Sequence, residues 1–167
     1  MEFPPLVMGD ALTVNGSLEL FGLIDLSASS IIRVNGSLIA YQGSSITGSS
    51  ASNLFFEATS LYEHVYLSGG SLVPIATWNI SSTCYFRGSF SILPSNMNQS
   101  FGNVTFNLTG ATALQLSGQL QTVRGNFLIE NTNTKPIRLG GATNYTLNVD
   151  GDFVKNGSGV LTWNSAS

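Results

Sequence analysis

The stretch ALTVNGSLEL, residues Ala11–Leu20, is followed twenty residues later by IIRVNGSLIA, residues Ile31–Ala40. Apolar and polar residues alternate in both copies, which is the pattern of a β-strand with one buried face. Both copies contain the same five residues, Val-Asn-Gly-Ser-Leu. A glycine at an inward position of such a strand indicates a bend, or a place where a side chain would crowd the neighbouring chain. We therefore expect the two copies to stack directly, with Val14 against Val34.

Two related segments lie near the end of the chain, TVRGNFLIE at 122–130 and NVDGDFVKN at 148–156. Near-repeats of this length, built from short strands without helical periodicity, are typical of solenoids. The sequence predicts an all-β fold, a right-handed parallel β-helix of about six to seven coils, with Val123 against Val149. An antiparallel β-sandwich is the alternative, because it also consists of short strands separated by Gly- and Ser-containing turns.

The composition indicates a neutral polar exterior around an apolar interior. Only 9% of the 167 residues are charged, although 43% are hydrophobic, so Ser, Thr, Asn and Gly must form most of the surface. The net charge of −3 and the scattered Lys and Arg residues provide no basic stripe. Binding to nucleic acid or to an anionic membrane surface is therefore not expected. Insertion into a membrane is not expected either, because no apolar run approaches the roughly 18 residues needed to span a bilayer. Such a surface favours an extracellular or cell-surface location, although the first residues do not form a signal peptide.

We expect residues 1–167 to form one β-solenoid segment of a longer protein. Residues 1–10 are interpreted as an N-terminal lid or a cloning remnant, since Pro4 and Pro5 donate no ladder hydrogen bonds. The segment LPSNMNQS, Leu93–Ser100, is predicted to be a loop that leaves one coil. Uncapped coils at either end expose strand edges and core, which predicts self-association through the ends.

Three longer strings carry a resemblance to a known class of proteins. They are LYEHVYLSGGSLVPIATWNISSTCYF (61–86), NMNQSFGNVTFN (96–107) and IRLGGATNYTLNVDGDFVKNGSGVL (137–161). These strings resemble repeat regions of large secreted or surface-attached proteins of Bacteroidota, which are mostly uncharacterised. The resemblance implies an extended β-helix and a location outside the cell. It implies no enzyme chemistry, and it transfers no functional residues to this chain.

The predicted function is a structural or adhesive segment, a stalk or spacer, that needs no cofactor. A carbohydrate-binding module that recognises a polysaccharide or cell-surface glycan is the alternative. Its binding residues would be an aromatic stripe on one strand together with nearby rings: Tyr62, His64, Tyr66, Trp78 and Tyr85. If the stripe points outward, its rings can stack on sugars. If it points inward, the three residues of the strand are core and Glu63 is exposed.

A polysaccharide-active enzyme is the second alternative, with Glu57 or Glu63 as the catalytic acid. We assign no catalytic residue and no metal ligand, because one cysteine and one histidine provide no metal-binding spacing. Cys84 is expected to be a buried apolar group. Asp150 and Asp152 share the outer parity of one strand, where Arg124 of the preceding repeat should lie against Asp150.

Overall fold

The computed structural model describes residues 6–8, 10–26, 29–68, 71–89, 92–110, 112–140 and 146–162. Within these residues all regular secondary structure is β-strand, and every paired strand runs parallel to its neighbours. The predicted parallel β-solenoid is confirmed. The antiparallel β-sandwich is wrong, because each strand pairs with the equivalent strand of the next coil rather than with an adjacent strand in sequence.

The strands, numbered in chain order, form three faces that the chain visits in turn. The first face is one seven-stranded sheet of β3 (Ser17–Leu20), β6 (Ser37–Tyr41), β9 (Leu61–Tyr66), β11 (Thr83–Gly88), β13 (Asn103–Leu108), β16 (Phe127–Asn131) and β19 (Phe153–Lys155). The second face contains β2 (Ala11–Val14), β5 (Ile31–Val34), β8 (Leu54–Phe56) and β10 (Thr77–Trp78), and a separate sheet of β12 (Ser100–Phe101), β15 (Thr122–Val123) and β18 (Asn148–Val149). The third face contains β1 (Leu6–Met8), β4 (Leu23–Leu26) and β7 (Ser45–Thr47), and a separate sheet of β14 (Leu114–Gln115), β17 (Pro136–Arg138) and β20 (Val160–Thr162).

The register between coils agrees with the predicted stacking. Val14 pairs with Val34, and Val123 pairs with Val149. On the first face the shift per coil is 20 residues where Ser17 pairs with Ser37, and 26 residues where Phe127 pairs with Phe153. The seven strands of this face confirm the expected number of coils. At about 4.8 Å per strand the first face spans roughly 30 Å along the solenoid axis.

The interior consists of side chains that stack on their equivalents in the next coil. Phe86 and Phe106 are fully buried and stacked, with ring centroids 4.8 Å apart. Phe127 of the next coil pairs with Val104 and meets Phe106 edge-on, with ring centroids 5.9 Å apart, while Ile129 takes the position opposite Phe106. Because the coils are in register, one apolar position creates a continuous apolar column along the axis, and burial of each aromatic ring contributes about 2–3 kcal/mol.

The repeated Asn-Gly forms a corner between the second and first faces. Asn15 and Gly16 separate β2 from β3, and the Asn35 side-chain Nδ2 donates a hydrogen bond to Asn15 Oδ1 over 2.8 Å. A Cβ atom at Gly36 would lie 2.0 Å from the backbone oxygen of Gly16. The expected bend and the close approach of coils are therefore both present. The alternation is interrupted at this corner, which leaves Gly16 exposed rather than inward.

The predicted loop at Leu93–Ser100 is instead part of the solenoid wall. Leu93 is 8% exposed and Met97 is fully buried, and Ser95 forms a parallel bridge with Leu72 of the preceding coil. A loop that left the coil would have no apolar surface to cover these side chains, so that expectation is wrong. At the N-terminus Leu6–Met8 forms β1, which pairs with β4. The remainder of the predicted lid, residues 1–5 and 9, lies outside the described residues.

Candidate functional sites

The predicted aromatic stripe lies inside the solenoid. Tyr62 is 1% exposed, His64 is fully buried and Tyr66 is 2% exposed. The register of β9 decides this, because Tyr62 pairs with buried Leu38 and His64 pairs with Ala40, whose small side chain leaves room for the imidazole. The outward orientation needed for sugar stacking is therefore wrong for these three side chains, and their interior alternative is correct.

Trp78 and Tyr85 do not complete an exposed platform either. Trp78 is 2% exposed and stacks on Phe56, with ring centroids 4.2 Å apart. Its indole Nε1 donates to Gln99 Oε1 over 3.0 Å, which satisfies the only polar group of the ring. Tyr85 is half-buried on the outside of the first face. A surface role for Tyr85 stays a prediction, whereas a surface role for the Trp78 ring is wrong.

The buried tyrosine, histidine and serine form a hydrogen-bonded chain. Tyr62 Oη lies 2.9 Å from His64 Nδ1, and His64 Nε2 lies 2.8 Å from Ser71 Oγ. Within the described residues, the Tyr62 hydroxyl makes one hydrogen bond, to His64 Nδ1. Its O–H therefore donates to Nδ1, because otherwise its proton would be buried without an acceptor. Neutral imidazole then carries its proton on Nε2 and donates it to Ser71 Oγ.

This tautomer determines what the Ser71–His64 pair can do chemically. A serine nucleophile needs a base that accepts its proton, but here Nε2 donates to the serine. Burial also lowers the pKa of His64 to about 3, so the imidazole is a weak proton acceptor at neutral pH. A polar cleft of about 260 Å³ adjoins Ser71 and Tyr66. The hydrogen bonds from Tyr62 through His64 to Ser71 satisfy polar groups that lie in or beside the core.

A second polar cluster lies outside the first face and was not found from the sequence. Arg87 Nε is 2.6 Å from Glu63 Oε1, and the Glu63 side chain is only 11% exposed. The expectation that Glu63 would be exposed if the stripe pointed inward is therefore wrong, because the Arg87 side chain of the next coil pairs with it. In the register between β9 and β11, Glu63 pairs with Tyr85 and Arg87 pairs with Val65, so the ion pair is diagonal and no repeat in the sequence indicates it.

Tyr85 extends this cluster toward later coils. Its hydroxyl donates to Glu130 Oε2 over 2.8 Å, and Asn107 Nδ2 donates to the same carboxylate oxygen over 3.0 Å. Partial burial raises the pKa of Tyr85, and the hydrogen-bonded and nearby Glu130 carboxylate raises it further, against a lowering effect of the hydrogen bond from Asn107. The polar groups of the cluster therefore link coils to one another.

The two predicted catalytic acids are each paired with an arginine, on different faces. Glu57 follows β8 on the second face and accepts a hydrogen bond from Arg33 Nη1 over 2.5 Å. Arg33 also lies over the Phe55 ring, with its guanidinium carbon 4.4 Å from the centroid. Glu63 belongs to the first face. Among the described residues no three His, Cys, Asp or Glu side chains are placed to hold a metal ion.

A groove of about 370 Å³ opens on the second face. Its lining comprises Ala51, Ile75, Ala76, Thr77, Trp78, Gln99, Ser100 and Arg124. Arg124 Nη2 donates to the backbone oxygen of Trp78, and its buried Nε has no hydrogen-bond partner among the residues that the structure describes. The predicted ion pair with Asp150 is wrong, because the guanidinium extends toward earlier coils rather than toward the next one.

No family model matches the chain, and neither a curated protein nor a solved structure matches it. In the part of the chain that is described, no helix has the length and apolar character required to cross a membrane. The functional proposal is therefore based on the fold, on the polar clusters described above and on the groove beside Trp78.

Proposed function

We propose that the chain is a structural segment, a stalk or spacer, of an extracellular or cell-surface protein. The observation that carries this proposal is the continuous seven-stranded parallel sheet, in which backbone hydrogen bonds run along the solenoid axis. Parallel in-register coils produce a stiff element whose length increases with each repeat. A low content of charged residues supports a location outside the cell, where neutral polar surfaces are common.

The use of polar side chains supports the same proposal. Asn103 Oδ1 accepts a hydrogen bond from the backbone N–H of Asn126 over 2.8 Å. Asn126 Oδ1 in turn accepts one from the backbone N–H of Asp152 over 2.8 Å. Equivalent corners of successive coils are thus held by side-chain amides. These groups stabilise the stack and are not available as a convergent binding site.

Pulling single molecules between two handles tests the spacer proposal. Under force the coils should unfold one at a time, and each unfolding event should release 20 to 26 residues, which is the shift per coil on the first face. Each step then adds roughly 70–90 Å of extended chain. A stretch that extends at low force without discrete steps would contradict a load-bearing role.

A second candidate function is recognition of an acidic glycan in the Trp78 groove. The specific observation is that Arg124 brings a guanidinium into a groove whose lining contains no carboxylate. Hydroxyl groups of Thr77 and Ser100 lie in the same lining. Guanidinium groups bind carboxylates such as those of uronic acids in a bidentate manner.

Binding isotherms against acidic and neutral polysaccharides separate the two candidates. Saturable binding of polyuronates that is lost in Arg124→Gln and retained in Arg138→Gln would assign the groove as a binding site. Arg138→Gln is the matched control because it removes the same charge from the third face. Absence of binding leaves the spacer proposal standing alone. Release of unsaturated uronate or reducing sugar, lost in Glu57→Gln or Glu63→Gln, would assign an enzyme instead.

A further inference from the structure

The strand register places one outward side chain of each coil in a column that runs along the second face. Its members are exposed or half-buried, and consecutive members pair with each other within each of the two sheets of this face. From the first coil to the last, this second-face column consists of Thr13, Arg33, Phe55, Thr77, Ser100, Thr122 and Asn148. Paired coils lie about 4.8 Å apart, so the column repeats at that interval along the solenoid axis.

The Trp78 groove opens at the break between the two sheets of the second face. Within the described residues, β10 pairs only with β8, and β12 pairs only with β15. Thr77 lies on one side of this break and Ser100 on the other, and both line the groove. The second-face column therefore leads into the groove from both directions along the axis.

The member of the column next to the groove, toward the N-terminus, carries an aromatic ring. Phe55 is half-buried and pairs with Thr77. The guanidinium carbon of Arg33 lies 4.4 Å from the centroid of this ring, and Arg33 also pairs with Glu57. This part of the column is neutral overall, so it does not repel an anionic chain. Its aromatic surface is of the kind that packs on the apolar C–H face of a sugar.

The charge of the column is concentrated at the groove. Two arginines lie on the described part of the second face, and Arg33 is already paired with Glu57. Arg124 has no carboxylate partner among the described residues, and its Nη2 donates to the backbone oxygen of Trp78 within the groove. An acidic ligand is therefore held by one carboxylate at Arg124, and the neighbouring members of the column bind through hydroxyl groups.

We propose that the Trp78 groove is the central part of a longer site, in which a linear acidic polysaccharide lies along the solenoid axis with one sugar residue per coil. This inference rests on the second candidate function above, and it adds the direction and the length of the bound chain. A carboxylate pairs with Arg124, a sugar ring on one side packs on Phe55, and a sugar on the other side hydrogen-bonds to Thr122. A sugar residue in an extended chain is about as long as one coil is high, about 4.8 Å. The site then occupies the four coils that carry Phe55, Thr77, Ser100 and Thr122.

Binding isotherms with galacturonate and its linear oligomers test the length of the site. Affinity should increase from the monomer to the tetramer and stay constant from the tetramer to the hexamer. Phe55→Ala should lower the affinity for the tetramer about fivefold and leave the affinity for the monomer unchanged. Thr122→Val, which removes only the hydroxyl, should also weaken binding of the tetramer and not of the monomer. Tyr85→Ala is the matched control, because it removes a half-buried aromatic ring from the first face, and it should bind like the unmodified chain.

The outcomes separate this inference from the groove on which it rests. Phe55→Leu keeps an apolar side chain without a flat ring, so it provides the same test if Phe55→Ala does not fold. Equal affinity for monomer and tetramer, or a tetramer affinity that neither Phe55 variant changes, would overturn the lengthwise site. Binding that is still lost in Arg124→Gln would then leave the groove as a site for a single sugar. Absence of binding by every oligomer would overturn both, and the unfolding of the coils under force would remain a separate test of the spacer proposal.

Discussion

Replacing His64 by glutamine should remove a large part of the pH dependence of stability. His64 is the only histidine of the chain, and it is fully buried. Glutamine retains an oxygen that can accept from the Tyr62 hydroxyl and an N–H₂ group that can donate to Ser71, but it does not titrate. The quantity to compare is the change in unfolding free energy with pH in the wild-type protein and in His64→Gln. The pH-independent loss of stability caused by the substitution itself cancels in this comparison.

The magnitude follows from the difference in the histidine pKa between the folded and unfolded chains. Burial lowers the pKa of His64 from 6.5 to about 3 in the folded state. Below pH 6.5 the unfolded chain binds a proton that the folded chain excludes, so stability is fully present above this pH and is lost as the pH falls toward 3. At pH 5 the loss relative to pH 8 is about 2 kcal/mol, since each pH unit corresponds to about 1.4 kcal/mol.

Neighbouring groups do not obscure this window. Among the described residues, the tyrosines Tyr62 and Tyr66 contact the imidazole, and Cys84 pairs with Tyr62 on the next strand. Burial raises the pKa of each of these three side chains. All three therefore stay neutral between pH 5 and 8. Urea titrations at pH 8, 6.5 and 5 measure the effect. Equal pH dependence in the wild-type protein and His64→Gln would refute the view that a neutral, buried imidazole is part of the core.

Three further predictions follow from the packing. Gly36→Ala should destabilise the protein by about 1–3 kcal/mol because its Cβ would overlap the neighbouring coil, whereas Gly16→Ala, with nothing within 4 Å, should change stability by less than about 0.5 kcal/mol in the same urea titration. Phe106→Ala should cost about 3–5 kcal/mol and Phe153→Ala, whose ring is 46% exposed, less than half as much; equal losses would contradict the greater burial of Phe106. The Cys84 thiol, whose pKa burial raises, should react with a thiol reagent only after denaturation, and rapid labelling of the folded protein would show that the core opens.

The sequence predicted the coils well where the repeat is regular. Val14 pairs with Val34 and Val123 pairs with Val149 because the strand alternation and the Asn-Gly corner recur together at each place. In a parallel stack each residue contacts the residue at the same position of the next coil. A repeat in the sequence therefore specifies a contact in the structure. The side-chain ladder from Asn35 to Asn15 has the same origin.

The prediction was less successful from β9 to β12, where the corner motif is missing. Leu93 and Met97 were expected in a loop but are buried in the wall. The pairs Glu63–Arg87 and Tyr85–Glu130 depend on a register that varies from coil to coil, and they bring together residues 24 and 45 positions apart. Neither separation is a feature that a local pattern can indicate.

The sequence by itself determined the period of the solenoid and the partners of its regular corners, because stacking places like positions in contact. Only the tertiary structure decided that Tyr62, His64 and Tyr66 face inward. Each of these side chains has an apolar body and a polar tip, so alternation alone is compatible with either face. The interior became possible because Ala40 leaves space beside His64, and because Ser71 and Ser44 accept the hydrogen bonds of the polar tips.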